Sequence, residues 1–329
     1  SMKSMLRILL YAIVLNVFAW GATHADPSEP RENGKQYAEV IEGNDTLIQK
    51  SERANPHLYG GPEIEAIKTW GLDSPDSVGL GELFTLLQGQ YFALIFLLIV
   101  IFVPMAFFGH YKLIGQRHYK HGNFLLVFTR YNIIVHWCAA VPFVVLCLTG
   151  LMMVFGDKLG GGWLIRFARD LHGFATIFFA IFGTLMFCMW VKDCLFRIYD
   201  IKWMMILGGY LDKVNREIPA HKFNAGQKMW FWVATLGGAV MVVSGAIMYF
   251  QGAGINTLRL MAIVHNVMGF AVIALLITHI YMAVFAIEGA LEAIINGKMG
   301  EEEVSMLHSL YYKDLQAQGK LDSMRVAHY

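Results

Sequence analysis

The chain has 329 residues, a formal net charge of +1 and a mean hydropathy of +0.48, with 56% hydrophobic and only 16% charged residues. A soluble globular domain carries about 25% charged residues, so this is the composition of an integral membrane protein. The near-zero net charge implies no polybasic or polyacidic partner.

The start, Met2 to Arg7, is short and basic, Ile8 to Trp20 is apolar, and Thr23-His24-Ala25 offers a small-residue cleavage site before Asp26. That order is the pattern of a secretory signal peptide over 1–25, with an uncleaved signal anchor as the alternative. Residues 26–90 are polar, with Asn55-Pro56-His57 and Gly60-Gly61-Pro62, and carry no chemical motif. They are expected to form a periplasmic extension. Five apolar runs follow, near 91–109, 132–155, 172–191, 229–250 and 261–287. Each approaches or exceeds the ~20 residues a helix needs to cross a bilayer. Continuous rather than alternating apolarity favours helices over strands. The expected fold is therefore an all-α integral membrane bundle. An extra helix at 91–109 precedes four core helices within 130–290, and 291–329 form a C-terminal tail.

Lys112, Arg117, Lys120 and Arg130 fall in 110–131, which has no acidic residue, and seven Lys or Arg fall in 192–228. The intervening 156–171 and 251–260 hold fewer. Cationic loops stay on the cytoplasmic side, so 110–131, 192–228 and the C-terminus are expected there. The N-terminal segment is then periplasmic, in agreement with the signal peptide. Cys138, Cys147, Cys188 and Cys194 lie in or beside apolar runs without a CxxC spacing. They read as small buried hydrophobes, and no disulfide framework or thiolate zinc site is supported.

Of twelve histidines, His136, His172, His265 and His279 sit within the apolar runs. An ionisable ring in hydrocarbon is costly and points to function. His265 and His279 are 14 positions apart, which on a helix is ~21 Å and ~3.9 turns, so both rings project from nearly one face. By depth, the topology groups His172 with His265 near the periplasmic side. It groups His136 with His279 near the cytoplasmic side. A porphyrin iron takes axial ligands from opposite sides, and neutral imidazole serves well. A zinc or copper site would want three or four ligands at one depth. His110, His118 and His121 cluster in the first cytoplasmic loop and read as solvated. His24, His57, His221, His308 and His328 have no supporting constellation. Gly150, Gly245 and other glycines in the runs suit close packing of helices or of a flat macrocycle.

Arg130 to Met153, with His136-Trp137 and Leu148-Thr149-Gly150, resembles the first helix of the gamma, or cytochrome b, subunits of respiratory formate dehydrogenases. Leu171-His172-Gly173-Phe174 resembles their next ligand helix, and Lys222-Phe223-Asn224-Ala225-Gly226-Gln227-Lys228-Met229 a specific loop of that family. Ile263-Val264-His265 through His279-Ile280-Tyr281-Met282-Ala283 resembles the last helix, with its two-histidine separation. The resemblance covers roughly 130–315 and leaves the N-terminal extension outside it.

The resemblance implies two b haems, held by His136 with His279 on the cytoplasmic side and by His172 with His265 on the periplasmic side. It implies a menaquinone or ubiquinone bordered by Asn224, Gly226 and His279. Asn224 also suits a helix N-cap. The implied partners are an iron–sulfur beta subunit and a molybdenum or tungsten catalytic alpha subunit in the bacterial inner membrane, with electrons passing through this chain to quinone. Two alternatives stand beside this reading. One is a cytochrome b subunit of a nickel–iron hydrogenase or of a thiosulfate or polysulfide reductase. The other is a membrane transporter with a histidine-lined path.

Overall fold

A computed structural model describes residues 80–326 except His121 and Gly252. The expected signal peptide, most of the 26–90 extension, and His24, His57, His121 and His328 lie outside the described residues. Among the described residues, five stretches are long and apolar enough to cross a membrane: Leu83–Leu113, Arg130–Val154, Gly162–Trp190, Ala225–Phe250 and Asn256–Ala286. The helical membrane architecture is as expected, with one small sheet outside the apolar helices.

Their limits differ from the hydropathy runs for local reasons. Helix α1 (Leu80–Leu86) continues through a π-turn at Leu87–Tyr91 into α2 (Phe92–Leu113). Gln88, Gly89 and Gln90 interrupt the apolar run, but a π-turn keeps the backbone hydrogen-bonded through them. Helix α3 (Arg130–Val154) opens with a capping box, Thr129 accepting from the Asn132 backbone and Asn132 from that of Thr129. Pro142 lies inside α3 without ending it. Helix α4 (Gly162–Trp190) starts well before its apolar run. His172 therefore lies inside α4, about 15 Å from its first residue at 1.5 Å per residue, rather than near the helix start.

Helix α5 (Ile198–Met205) is short and follows α4 closely. Helix α6 (Ala225–Trp232) runs through a π-turn into α7 (Gly238–Phe250). Helix α8 (Ile255–Tyr281) carries both His265 and His279 and ends in a third π-turn. The described chain divides into two compact units. One holds Phe96–Val242 and the described residues from Met268 onward; the other holds those up to Ile95 together with Val243–Val267.

Within the first unit the expected C-terminal tail is a folded layer. It contains α9 (Glu292–Ile295), β2 (Lys298–Gly300), α10 (Glu301–Leu307), α11 (Ser309–Ala317), α12 (Leu321–Met324) and β3 (Arg325–Val326). Strand β1 (Phe124–Leu126) lies between β2 and β3, antiparallel to both, with Phe124 opposite Gly300 and Val326. Leu125 and Val304, both fully buried, join Phe128, Trp190, Phe223, Phe231 and Leu315 in one apolar cluster. Burial of that surface, at roughly 25 cal/mol per Å², ties the layer to the ends of α4 and α6. The sequence missed it because the segment is polar overall and its apolar residues belong to several very short elements.

Arg117 is the other organiser of this side. It is buried, and its guanidinium donates to the carbonyls of Gly209, Asp212 and Val214 and to Asn215 Oδ1. One cation thereby gathers the loop after α5, which begins with a run of left-handed residues, Leu207, Gly208 and Gly209.

Candidate functional site

His136 and His279 come together. Six residues into α3 and near the end of α8, their ring centres are 6.4 Å apart at an interplanar angle of 51°. A metal held between two imidazoles at bonds of ~2 Å puts the ring centres about 6 Å apart. His136 Nδ1 is buried and has no hydrogen-bond partner. Aromatic rings enclose the pair. Trp230 stacks on His279 at 5.3 Å, and His136 meets Trp137 edge-on at 5.3 Å and Trp190 at 6.3 Å. Trp137 is itself fixed by an indole N–H donated to the Ile294 carbonyl at 2.8 Å.

His172 and His265 belong to different compact units. Thr149 Oγ1 lies 2.8 Å from His172 Nδ1 and also donates to the Val145 carbonyl at 2.7 Å. A hydroxyl has one proton, so His172 must be the donor in the first contact. Its Nδ1 is protonated and its Nε2 keeps the lone pair that binds metals. The next residue, Gly150, lies so close that a Cβ there would be 3.5 Å from His172 Cε1. In the second unit Ser244 Oγ lies 2.8 Å from His265 Nδ1, and a Cβ on Gly245 would be 3.3 Å from His265 Cε1. Each histidine thus meets a hydroxyl residue followed by glycine on the preceding helix. Hydrogen bonding of the second ring nitrogen is how proteins orient imidazole ligands. Thr149 and Ser244 were not singled out from sequence as site residues. The signal was present as two hydroxyl–glycine dipeptides, each in the apolar run just before a histidine.

Asn224 is the N-cap of α6. Its Oδ1 accepts from the Gln227 backbone and Gln227 Oε1 from that of Asn224, both at 2.9 Å. The side-chain oxygen is therefore committed, and the NH₂ remains to donate. Gly226 faces Trp203, where an added Cβ would stand 2.9 Å from the ring; Gly208 abuts the same indole. The two glycines let Trp203 fit beneath the start of α6. Behind it, Lys228 and Asp200 form a buried ion pair at 2.8 Å, with the ammonium also over the Tyr199 ring.

His110 departs from the solvated-loop reading. It lies in α2, and its Nε2 donates to the Tyr210 carbonyl at 2.6 Å, which leaves Nδ1 to accept from the Tyr281 hydroxyl at 2.6 Å. Phe107 stacks on Tyr281 at 4.5 Å. His118 does sit exposed, against Glu288. His308 is buried with Nδ1 on the His221 carbonyl, and burial lowers its pKa to about 4. No cluster of three or more His, Cys, Asp or Glu among the described residues could hold a metal ion. A haem iron needs only two protein ligands and four porphyrin nitrogens, so the residues present fit that group.

Among the described residues, five membrane-length helices with imidazoles inside them, two of these at bis-ligand spacing, define a helical-bundle membrane cytochrome. Residues 127–297 match the prokaryotic cytochrome b561 family, and the chain belongs to that family, whose members bind haem b. Its relatives include the cytochrome b556(Fdn) subunit of the nitrate-inducible formate dehydrogenase of Escherichia coli K12. That protein is 31% identical over 203 residues, covering 57% of this chain and 90% of the relative. The cytochrome b556(fdo) subunit of formate dehydrogenase from the same organism is 27% identical over 208 residues, covering 60% and 95%. The formate dehydrogenase cytochrome b556 subunit of Haemophilus influenzae is 30% identical over 195 residues, covering 55% and 79%. The resemblance to formate dehydrogenase gamma subunits is thereby borne out. Cytochrome family membership also decides against the histidine-lined transporter.

Proposed function

We propose that this chain is the membrane cytochrome b subunit of a formate dehydrogenase. It holds one b haem between His136 and His279 and a second between His172 and His265. The 6.4 Å spacing of the first pair carries the ligand assignment, and the names of the relatives support formate as electron source. When bound, haem supplies one-electron carriage at each level. His136 and His279 grip from α3 and α8, with Trp230 and Trp190 excluding water from the rings. Thr149 holds His172 by Nδ1, so that its Nε2 would meet the iron, and Ser244 orients His265 at the same ring nitrogen.

The partners in this reading are an iron–sulfur subunit and a molybdenum or tungsten formate-oxidising subunit. His172 and His265 would hold the haem that serves those partners, and His136 and His279 the haem that serves menaquinone or ubiquinone. Asn224, with its Oδ1 occupied as a cap, donates its NH₂ to a quinone oxygen beside His279. Gly226 serves that site by admitting Trp203 under the α6 start. The cationic loops support a cytoplasmic position for the quinone end and the C-terminal layer in a bacterial inner membrane, where proton uptake would add to the proton-motive force.

The purified complex tests this. A dithionite-minus-oxidised spectrum with two b haems per chain, and the same spectrum produced by formate, is the expected result. Reduction by hydrogen but not formate would assign the chain to a nickel–iron hydrogenase instead, and a thiosulfate or polysulfide reductase would respond to neither. His265→Ala should lose one haem and keep the other; retention of both would overturn the ligand assignment.

A further inference from the structure

Helix α5 has two unlike faces. Asp200 and Trp203 are buried, at 0% and 8% exposure, whereas Ile198 is 88%, Ile201 56% and Met205 80% exposed. Positions 198, 201 and 205 follow the i, i+3, i+7 rule and form one edge of the helix. Leu195 and Phe196 extend that apolar strip toward α4. Apolar chains this exposed and contiguous mark a surface that something covers.

What covers it follows from position and charge. Only residues 191–197 separate α4, a membrane-length helix, from α5, so α5 lies at the level where the chain leaves the bilayer. On α4 itself Ile177, Ile181 and Leu185 are likewise exposed. Lys192, Arg197 and Lys202 are exposed and enter no ion pair among the described residues. The helix's one carboxylate, Asp200, is buried against Lys228, which leaves Asp193 as the nearby exposed acid. A short helix with an apolar edge flanked by cations lies in the plane of the membrane interface and prefers anionic lipid.

We propose that α5 is an interfacial helix, with Ile198, Ile201 and Met205 immersed at the boundary between headgroups and acyl chains. Lys192, Arg197 and Lys202 meet the headgroups of anionic phospholipid. Its buried face holds the α6 start through Asp200–Lys228 and Trp203–Gly226, so lipid fixes the outer side of a helix whose inner side packs on α6.

A nitroxide on Met205→Cys, in a Cys188→Ser background, reports its depth in the full-length protein. The protein is placed in nanodiscs of phosphatidylethanolamine and phosphatidylglycerol, with the haem spectrum as the check on folding. The expected result is a power-saturation accessibility to oxygen several-fold above that to a water-soluble nickel chelate. Greater access to the chelate would mean that the strip faces water, and low access to both that a protein covers it; either overturns the proposal. If Met205→Cys fails to bind haem, Ile198→Cys gives the same reading. In a second arm, Lys192→Gln/Arg197→Gln/Lys202→Gln should retain less than half the wild-type phosphatidylglycerol after purification, measured by mass spectrometry. Undiminished retention would overturn the headgroup contact.

Discussion

The ammonium of Lys228 lies 2.8 Å from the Asp200 carboxylate, and both side chains are sealed from solvent. The pair joins α6 to α5 just behind Asn224. Breaking a buried ion pair from one side leaves an uncompensated charge and costs about 3–5 kcal/mol, whereas replacing both partners with apolar groups is often close to neutral. Lys228→Met should therefore lower the thermal stability of haem absorbance in detergent sharply, and Lys228→Met/Asp200→Leu should recover most of the loss. A double variant no better than the single one would show that the pair does more than balance charge.

Thr149 holds His172 through Nδ1, and that hydrogen bond raises the basicity of the ring as an iron ligand. A more basic ligand favours ferric iron. Thr149→Val should raise the midpoint potential of one haem, leave the other in place, and weaken haem retention by about 10–100-fold. Thr149→Ser should restore both. Redox titration followed by the haem bands measures it. Ser244→Ala should act in the same direction through His265.

Asn224 serves as cap and as proposed quinone donor, and two substitutions separate these jobs. Asn224→Asp keeps the capping oxygen and removes the NH₂, so stability should hold while quinone reduction by formate-reduced enzyme slows. Asn224→Ala removes both and should also cost about 1 kcal/mol of stability. Both variants should keep both haems. Unchanged quinone reduction in Asn224→Asp would restrict this residue to its structural role.

Glu303 is buried in α10, and desolvation raises its pKa from 4.5 to about 7, with Glu292 adding to the rise. Between those two values the folded protein binds a proton that the unfolded chain has released. Stability should therefore fall as pH rises from about 4.5 to 7 and then level off, by an amount on the order of 3 kcal/mol. Glu303→Gln should flatten that dependence and be the more stable protein above pH 7. Denaturation followed by tryptophan fluorescence across this range provides the check.

Much of the scaffold was legible in the residues themselves. Crossing a bilayer demands some twenty apolar residues in a row, so the number and order of the spans could be counted, and four histidines inside them stood out because hydrocarbon penalises polar rings. Folding decided what has no linear period. Thr149 and Ser244 find their imidazoles only when neighbouring helices pack. Arg117 gathers carbonyls from about a hundred positions away, and Asp200 meets Lys228 across a loop. The C-terminal layer is likewise assembled from distant short pieces. Hydropathy is a sum over neighbours in sequence, whereas hydrogen bonds and ion pairs are settled by neighbours in space.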